Sequence, residues 1–456
     1  MVGAQGDSAS LLAHGGRVGL REVATLAWPV VVQMLSVNAM LLADALFVGR
    51  VSTPALAGVG LAGTALMLVH SFGNGLLGGV RVETSHATGA REHGRAEAAL
   101  AQGIWLALGY GLPLLAIIPL TGVLVPLLGA GEGLSAHAAN YMAWMLLSAP
   151  VLCLEQVIAG WLQGRGDTRT PMAASIGGNA LNVALDAVLV LGFGPVAGHG
   201  VVGAAVATVL SRVAITSFLL LRVRAVLQRS AEWPRRAPLA RISAFGTPMG
   251  VRWTLDVTSW LAFATIVSWV GEAHLAAHVI GVRLIVLTFL PGYAIGEAAG
   301  VLVGQSLGAQ RPDLALNAWA SATWLALGLM LGLGSAFWIA PGWLLAPFHP
   351  TPEVEAIGRQ LLFIAGAFQV VDAVATVGLG SLNGAGDTRF VMALSFLAAW
   401  FVKMPLVIAL AWGLGWGAPG AWIGLTGEIT VVALVSVWRV RTDRLRPRVA
   451  VAMAHQ

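Results

Sequence analysis

The amino-acid sequence predicts an all-α membrane protein with twelve transmembrane helices in two parallel six-helix repeats. Its 456 residues are 57% hydrophobic and only 10% charged, with a mean hydropathy of +0.81. Because soluble domains carry about 25% charged residues, a soluble enzyme, a disordered chain and a coiled coil are all disfavoured. A membrane-spanning helix needs about 20 apolar residues, so this length allows roughly ten to thirteen spans.

Twelve apolar segments follow one another along the chain, and we number them spans 1 to 12. They cover residues 24–48, 54–80, 98–124, 139–162, 170–193, 201–221, 242–270, 277–304, 316–339, 357–382, 390–414 and 419–438. With the N-terminus in the cytoplasm, nineteen of the 26 basic residues fall in cytoplasmic segments and only Arg50 and Arg359 fall in outer loops. Lys and Arg resist translocation, so this asymmetry predicts that both termini are cytoplasmic.

An internal repeat supports the even number of spans. The hexad at 164–169 (Gly-Arg-Gly-Asp-Thr-Arg) recurs at 384–389 (Gly-Ala-Gly-Asp-Thr-Arg), and Gly89-Ala90 and Pro29 recur about 219 positions later. Six spans per repeat place both repeats in the same orientation, related by a pseudo-two-fold axis along the membrane normal. Within each hexad, we expect glycine to end one helix and Asp or Thr to cap the next.

The repeat and the charge distribution together predict the domain organisation. We expect a cytoplasmic N-terminal segment (1–23), an N-lobe (24–221), a basic cytoplasmic linker (222–241), a C-lobe (242–438) and a basic cytoplasmic tail (439–456). Two six-helix lobes that rock against each other suit a transporter that works by alternating access.

Charged side chains inside the spans are costly, about 2.5–3.5 kcal/mol each at the bilayer centre, so they are candidates for function. The sequence offers Asp44, Glu155, Asp186, Arg252, Asp256, Glu297, Asp372, Lys403 and Glu428. The structural alternative is a set of buried ion pairs. It fits Arg252 and Asp256, which lie four residues apart on one helical face, and we expect Lys403 to reach Asp372 from the adjacent span. The three glutamates have no evident partner in the sequence.

Span 5 carries the clearest polar pattern. Ser175, Asn179, Asn182 and Asp186 fall on one face of an otherwise apolar helix. Such a stripe faces protein or water rather than lipid, and its oxygen atoms could hold H⁺, hydronium or Na⁺. Asp44 of span 1 is the second carboxylate. Two carboxylates in an apolar lobe repel, which would let one of them load and release a proton at physiological pH. A hydrogen-bonded packing stripe is the alternative.

A second acidic site is possible in the C-lobe. Asp372 shares one face of span 10 with Gln369, Thr376 and Asn383, and Asp256 lies in span 7. The two carboxylates could form a second cation site or a counter-ion for a cationic substrate.

These residues resemble the multidrug and toxic compound extrusion (MATE) family over nearly the whole chain, and the N-lobe pattern is more similar to its DinF-like branch. The resemblance rests on Asp44, on Asn182 and Asp186, on the two hexads, and on the segments 55–59 (Ala-Leu-Ala-Gly-Val), 203–208 (Gly-Ala-Ala-Val-Ala-Thr), 275–278 (Leu-Ala-Ala-His) and 302–309 (Leu-Val-Gly-Gln-Ser-Leu-Gly-Ala). It implies antiport, in which an organic compound, cationic or amphipathic, leaves the cell as H⁺ or Na⁺ enters.

The resemblance also implies roles for particular residues. Asp44, Asn182, Asp186 and Thr208 match the cation site of the DinF-like branch. Asp256 and Asp372 match the acidic pair of the NorM-like branch, but the nearby Arg252 would neutralise Asp256, which favours the N-lobe. Pro29 removes a backbone hydrogen bond and lets span 1 bend. In the mechanism proposed for the family, protonation of the span-1 carboxylate, here Asp44, favours that bend and expels the substrate.

The alternative function is a flippase for lipid-linked precursors in the same superfamily, which Arg252, Arg283 and Lys403 keep open. The sequence shows no His-Glu metal motif, nucleophile elbow or phosphate loop, so we expect no enzyme activity, no cofactor and no metal other than a coupling Na⁺. We expect a monomer in the inner (plasma) membrane that meets small organic molecules and lipid but no nucleic acid.

Overall fold

The computed structural model describes residues 18–127, 131–193, 196–230 and 232–442. Most of the predicted N-terminal segment, including Arg17, and the predicted tail from residue 443, including Arg444, Arg446 and Arg448, lie outside these residues.

The first six spans are helical and several are longer than the apolar segments. They comprise Leu20–Gly49 for span 1, Thr53–Gly89 for span 2, His93–Leu114 with a 3₁₀ segment Leu115–Leu120 and a helix Thr121–Leu127 for span 3, Glu132–Leu147 and Ala149–Gly164 for span 4, Arg169–Leu189 for span 5, and Gly200–Ser230 for span 6. The two halves of span 4 meet at a bend of 48°. Prolines inside span 3 and next to this bend remove backbone hydrogen bonds, which explains why both spans are interrupted.

A small hairpin joins spans 5 and 6, in a region predicted to be helix up to residue 193. Strand β1 (Gly192–Phe193) pairs antiparallel with β2 (Val196–Ala197), and Gly192 is opposite Ala197. Gly192 has a φ of 87°, a left-handed conformation that favours glycine and ends the helix early.

The last six spans are also helical. They comprise Arg236–Val270 for span 7, Glu272–Gly308 for span 8, Pro312–Ile339 for span 9, Pro352–Gly384 for span 10, the run from Thr388 to Gly413 for span 11, and Gly417–Arg441 for span 12, with a short helix Pro341–Leu345 and a 3₁₀ turn Ala346–Phe348 before span 10. Span 11 consists of helix Thr388–Leu397, π-helix Ala398–Lys403, helix Met404–Val407 and π-helix Ile408–Gly413. Residues 222–230 and 236–241 of the predicted linker are therefore helical.

Each of the twelve predicted spans corresponds to helical segments of the described residues. Ten helices are long and apolar enough to cross a bilayer, and the bent pair of span 4 makes an eleventh. The 35-residue helix Arg236–Val270 corresponds to predicted span 7 but is less apolar than these. Its polar residues, among them Arg252 and Asp256, lower its mean hydropathy. The predicted all-α fold of twelve transmembrane helices is thus confirmed.

The two repeats share local geometry as well as sequence. Gly166 and Gly386 have φ angles of 90° and 82°, and Arg91 and Gln310, which are 219 residues apart, both have φ 58°. In each hexad the aspartate N–H donates to the carbonyl five residues earlier, at 2.9 Å and 3.0 Å. The duplication therefore reproduces the same turns in both halves.

Capping by Asp or Thr, which was expected in both hexads, is seen only in the first. Asp167 Oδ1 accepts from the backbone N of Thr170 at 3.0 Å, and Oδ2 accepts from its hydroxyl at 2.7 Å. Asp387 makes no such cap, and its Oδ2 accepts from Nε of Arg439 in span 12 at 2.7 Å instead. The expectation was wrong for the second hexad because a basic side chain competes for the carboxylate.

Close contacts divide the chain into two compact units. The N-terminal unit comprises Val32–Thr84 and Glu92–Gly250, and the C-terminal unit comprises the described residues up to Val31, Ser85–Arg91 and the residues from Val251 onwards. Each unit has its own apolar cores. The first part of span 1 thus packs with the last six spans, and the first part of span 7 with spans 2 to 6.

Candidate cation site

The polar stripe of span 5 faces span 1 inside the N-terminal unit. Ser175, Asn179, Asn182 and Asp186 are all buried, none of them more than 6% exposed. Nδ2 of Asn179 donates to Oγ of Ser36 in span 1 at 2.7 Å. The stripe is therefore shielded from lipid, as the helical spacing predicts.

Asn182 connects span 1 with span 6. With its amide nitrogen turned towards Asp44, Nδ2 donates to Asp44 Oδ1 at 2.9 Å, and the amide oxygen accepts from Oγ1 and the backbone N of Thr208, both at 3.3 Å. This orientation satisfies the amide, whereas the opposite one would set its oxygen against a carboxylate. The four residues predicted for the N-lobe site thus meet, because Asn182 contacts both Asp44 and Thr208 and lies one helical turn before Asp186.

The two carboxyl groups are in direct contact. Asp44 is 4% exposed and Asp186 is fully buried, and their side chains are hydrogen-bonded to each other. Two carboxyl groups share a hydrogen bond only when one of them carries a proton. Within the described residues, Asp44 Oδ2 and Asp186 Oδ1 are buried without a hydrogen-bond partner. The pair therefore offers oxygen atoms that a proton or a small cation could use.

An ion pair that was not predicted from the sequence accompanies this site. Nη1 of Arg212 in span 6 lies 3.6 Å from Oε2 of Glu155 in span 4, and both side chains are less than a quarter exposed. Arg212 also interacts electrostatically with Asp44, and Tyr141 does so with both aspartates. The sequence left the partner of Glu155 open, and the structure shows that it is Arg212. The available signal was that Arg212 lies four residues after Thr208, on the same face of span 6.

The C-terminal unit does not join its two predicted site residues directly. Nη1 of Arg252 pairs with Oδ2 of Asp256 at 3.1 Å, as the spacing predicts. Oδ1 of Asp372 accepts from Oγ1 of Thr376 at 3.2 Å. Among the described residues, no hydrogen bond or ion pair links Asp256 with Asp372. The proposed second acidic site therefore lacks the direct contact seen in the N-terminal unit.

Lys403 pairs with a different residue from the one expected. Its Nζ lies 2.9 Å from Oε2 of Glu428 in span 12, and both side chains are buried. The prediction that Lys403 reaches Asp372 was therefore wrong, and the partner of Glu428, which the sequence left open, is Lys403. The counter-ion of Lys403 therefore comes from span 12, which follows span 11, and not from span 10, which precedes it.

Pro29, the predicted bending residue, lies inside the continuous helix Leu20–Gly49 and is buried. It lies two residues before Val31, the last residue of span 1 that belongs to the C-terminal unit. The helix is thus continuous even though proline removes one of its backbone donors.

Comparison with known proteins assigns the family. The sequence profile of the MatE family matches residues 29–188 and 248–408, one segment in each half of the chain. The chain belongs to the MatE family of membrane transporters. This membership confirms the resemblance to the MATE family and identifies the protein as a transporter rather than an enzyme.

Individual relatives align with nearly the whole chain. The probable multidrug resistance protein NorM of Burkholderia mallei is 29% identical over 428 residues, which cover 92% of both chains. The crystal structure of a MATE protein in the straight conformation superimposes with a TM-score of 0.87, and that of a MATE protein in the bent conformation with 0.84. Both structures are 22% identical to this chain, cover 96% and 97% of it, and are themselves covered to 99%. These structures show that the fold is that of a MATE transporter.

Proposed function

We propose that this protein is a multidrug exporter that works by antiport, with Asp44 and Asp186 as the carboxyl groups that load the inward-moving cation. The observation that carries the proposal is the direct contact of these two buried carboxyl groups, each with one oxygen that has no hydrogen-bond partner in the part of the chain that the structure describes. A group that binds H⁺ or Na⁺ in one conformation and releases it in another must be buried yet chemically unsatisfied, and this pair is both. The name of the Burkholderia relative supports export of drugs.

The arrangement suggests how loading changes the protein. Asp44 holds span 1 to span 5 and span 6 through Asn182. A proton or Na⁺ on Asp44 would change these contacts, because a neutral or coordinated carboxyl group accepts fewer hydrogen bonds. A cation can shift a conformational equilibrium only by binding one conformation more tightly than the other. We propose that the favoured conformation has span 1 bent near Pro29, a change in keeping with relatives whose structures are described as straight and bent.

The flippase alternative loses its main support. Two of the three basic residues that favoured it, Arg252 and Lys403, are paired with Asp256 and Glu428. They are therefore not available to bind a pyrophosphate group without losing those partners. In the N-terminal unit, by contrast, Arg212 pairs with Glu155, and the carboxyl groups of Asp44 and Asp186 contact each other, an arrangement that suits a cation.

The remaining features of the proposal follow from the sequence. We propose that the protein acts as a monomer in the plasma membrane, with both termini in the cytoplasm, because the basic residues cluster on one side of the predicted topology. The proposed cycle needs no cofactor beyond the coupling ion.

The decisive experiment uses Asp44→Asn in proteoliposomes loaded with a panel of organic dyes. We expect wild-type protein to export dye under an imposed pH gradient, an imposed Na⁺ gradient or both, and the variant to lose this gradient-driven export. Asp313→Asn is the matched control, because Asp313 is an exposed carboxylate outside the site whose partner is Arg311. Undiminished gradient-driven export by Asp44→Asn would refute the assignment.

A further inference from the structure

Four charged side chains inside spans 7, 11 and 12 form two ion pairs in the C-terminal unit. Arg252 pairs with Asp256 at 3.1 Å, and Lys403 pairs with Glu428 at 2.9 Å. The Lys403 side chain is 3% exposed and the Glu428 side chain 10%. Lys403 is also the single lysine of the chain. A strongly hydrated ammonium group has therefore been placed in the membrane interior, where it is costly.

The two pairs act as one cluster. Asp256 interacts electrostatically with Lys403 as well as with Arg252, and also with Glu428. The ammonium of Lys403 thus serves two carboxylates on different spans, and it lies 5.8 Å from the ring centre of Trp260. Two positive and two negative charges make the cluster neutral overall.

Stability alone is a weak reason for such a cluster. Replacing a buried ion pair by apolar residues of similar size is often neutral or stabilising. The local backbone is also unusual, since Lys403 ends the π-helix Ala398–Lys403 and is followed by Pro405 and a second π-helix Ile408–Gly413. π-Helical turns are rare in proteins, and those that do occur are often found at functional sites.

The contrast with the N-terminal unit indicates what the cluster does. There, among the described residues, neither of the two contacting carboxyl groups forms an ion pair, because the nearby guanidinium of Arg212 pairs with Glu155. Here, an ammonium lies directly on Glu428. An ammonium at 2.9 Å from a carboxylate oxygen supplies the same charge that a bound proton or Na⁺ would supply.

We propose that Lys403 is a tethered cation, whose ammonium takes the place that a mobile cation would otherwise fill beside Glu428 and Asp256. This carboxylate pair then takes up no ion during transport, while the N-terminal carboxyl pair does. The inference rests on the proposed antiport function, but its test does not require transport.

The test asks whether removal of the ammonium creates a need for a free cation. The starting protein is Asp44→Asn, which disables the proposed N-terminal site, and the second change is Lys403→Met. Thermal unfolding of the purified proteins is followed in choline buffer with added NaCl, and separately at decreasing pH. A ligand that binds only the folded state raises its stability as the ligand concentration rises.

We expect the Asp44→Asn protein to show little response to Na⁺, and the double variant to gain a saturable rise in melting temperature with Na⁺ or with protons. Lys403→Arg in the same background keeps a cation and should not gain the response. Adding Glu428→Gln to the double variant should abolish it, because no uncompensated carboxylate remains at that position.

A folded double variant without any new cation response would overturn the proposal, and so would a response that survives Glu428→Gln. If the double variant folds only when Na⁺ is added or the pH is lowered, the proposal is supported. If neither addition recovers folded protein, Lys403 is a structural residue and the proposal fails. The antiport function is tested separately by Asp44→Asn alone, so the two failures are distinguishable.

Discussion

Spans 2 and 7 approach each other closely through glycines, and this contact gives a sharp prediction for stability. Gly79 of span 2 faces Ile242 and Gly246 of span 7, all within the N-terminal unit. A Cβ added at Gly79 would lie 2.8 Å from the backbone N of Gly246 and closer still to the carbonyl oxygen of Ile242. Because these atoms belong to the backbone, the two helices would have to separate.

The magnitude follows from a comparison within one helix. Overpacking a well-packed contact costs about 1–3 kcal/mol. Alanine is favoured over glycine inside a helix by about 0.5–1 kcal/mol, so part of the cost at Gly79 is offset. Gly63 of span 2 has nothing within 4 Å of an added Cβ. Gly63→Ala receives the same helical benefit without the clash, so the two variants should differ by about 1–3 kcal/mol in free energy of unfolding.

The chain carries its own reporter for this measurement. Cys153 is its single cysteine and is 2% exposed. A thiol-reactive fluorescent dye should therefore label the protein only as it unfolds. We expect Gly79→Ala to melt below wild type and Gly63→Ala to melt at or above it, in the same detergent. Equal melting temperatures for the two variants would show that the close approach of spans 2 and 7 does not constrain the protein.

Three further outcomes follow from individual contacts. Glu155→Gln should destabilise the protein, because it leaves the partly buried Arg212 without its ion-pair partner. A double-mutant cycle with Arg212→Gln should give a coupling energy well above that of an exposed ion pair, and additive effects of the two changes would contradict the ion pair. Asp167→Ala should cost about 0.5–2 kcal/mol through the lost helix cap, which melting curves would detect. Asp387→Ala should lower stability because it removes the ion pair with Arg439. If the two residues act only through each other, Arg439→Met should have the same effect, and combining the two changes should add nothing further.

Helical spacing alone predicted the buried polar face of span 5, whereas Thr208 was assigned only by the resemblance to the family. Asn182 and Asp186 share one face of an uninterrupted helix, and a polar face inside a membrane must be buried. The sequence also placed Asp44 on span 1. Because neither Asp44 nor the polar face of span 5 can face lipid, a contact between Asp44 and Asn182 was to be expected. Regular helices in a bilayer leave few alternatives for such residues.

The partner of Lys403 could not be predicted in this way. The prediction assumed that the adjacent span 10 supplies the counter-ion, but span 12 does so through Glu428. Lys403 lies at the end of a π-helical turn, which adds residues to the turn and changes the direction of every side chain beyond it. A spacing of 3.6 residues per turn therefore gives the wrong face here, and no signal in the sequence marks where the π-helix begins.

The positions of Pro29 and Pro248 connect the repeat with the proposed cycle. The boundary between the two compact units crosses span 1 after Val31 and span 7 after Gly250, in each case two residues beyond the repeated proline. Proline removes the backbone donor that would close the preceding turn, so both helices have a missing hydrogen bond where they pass from one unit to the other.

A change that bends span 1 there would alter the angle between the part that packs with the C-terminal unit and the part that carries Asp44. Fifteen residues, or about 22 Å of helix, separate Pro29 from Asp44, so a cation bound at Asp44 would act on the bend through the length of a stiff helix. The repeated prolines are therefore the positions at which we expect spans 1 and 7 to bend, and the proposed cycle uses the one in span 1 because that span also carries Asp44.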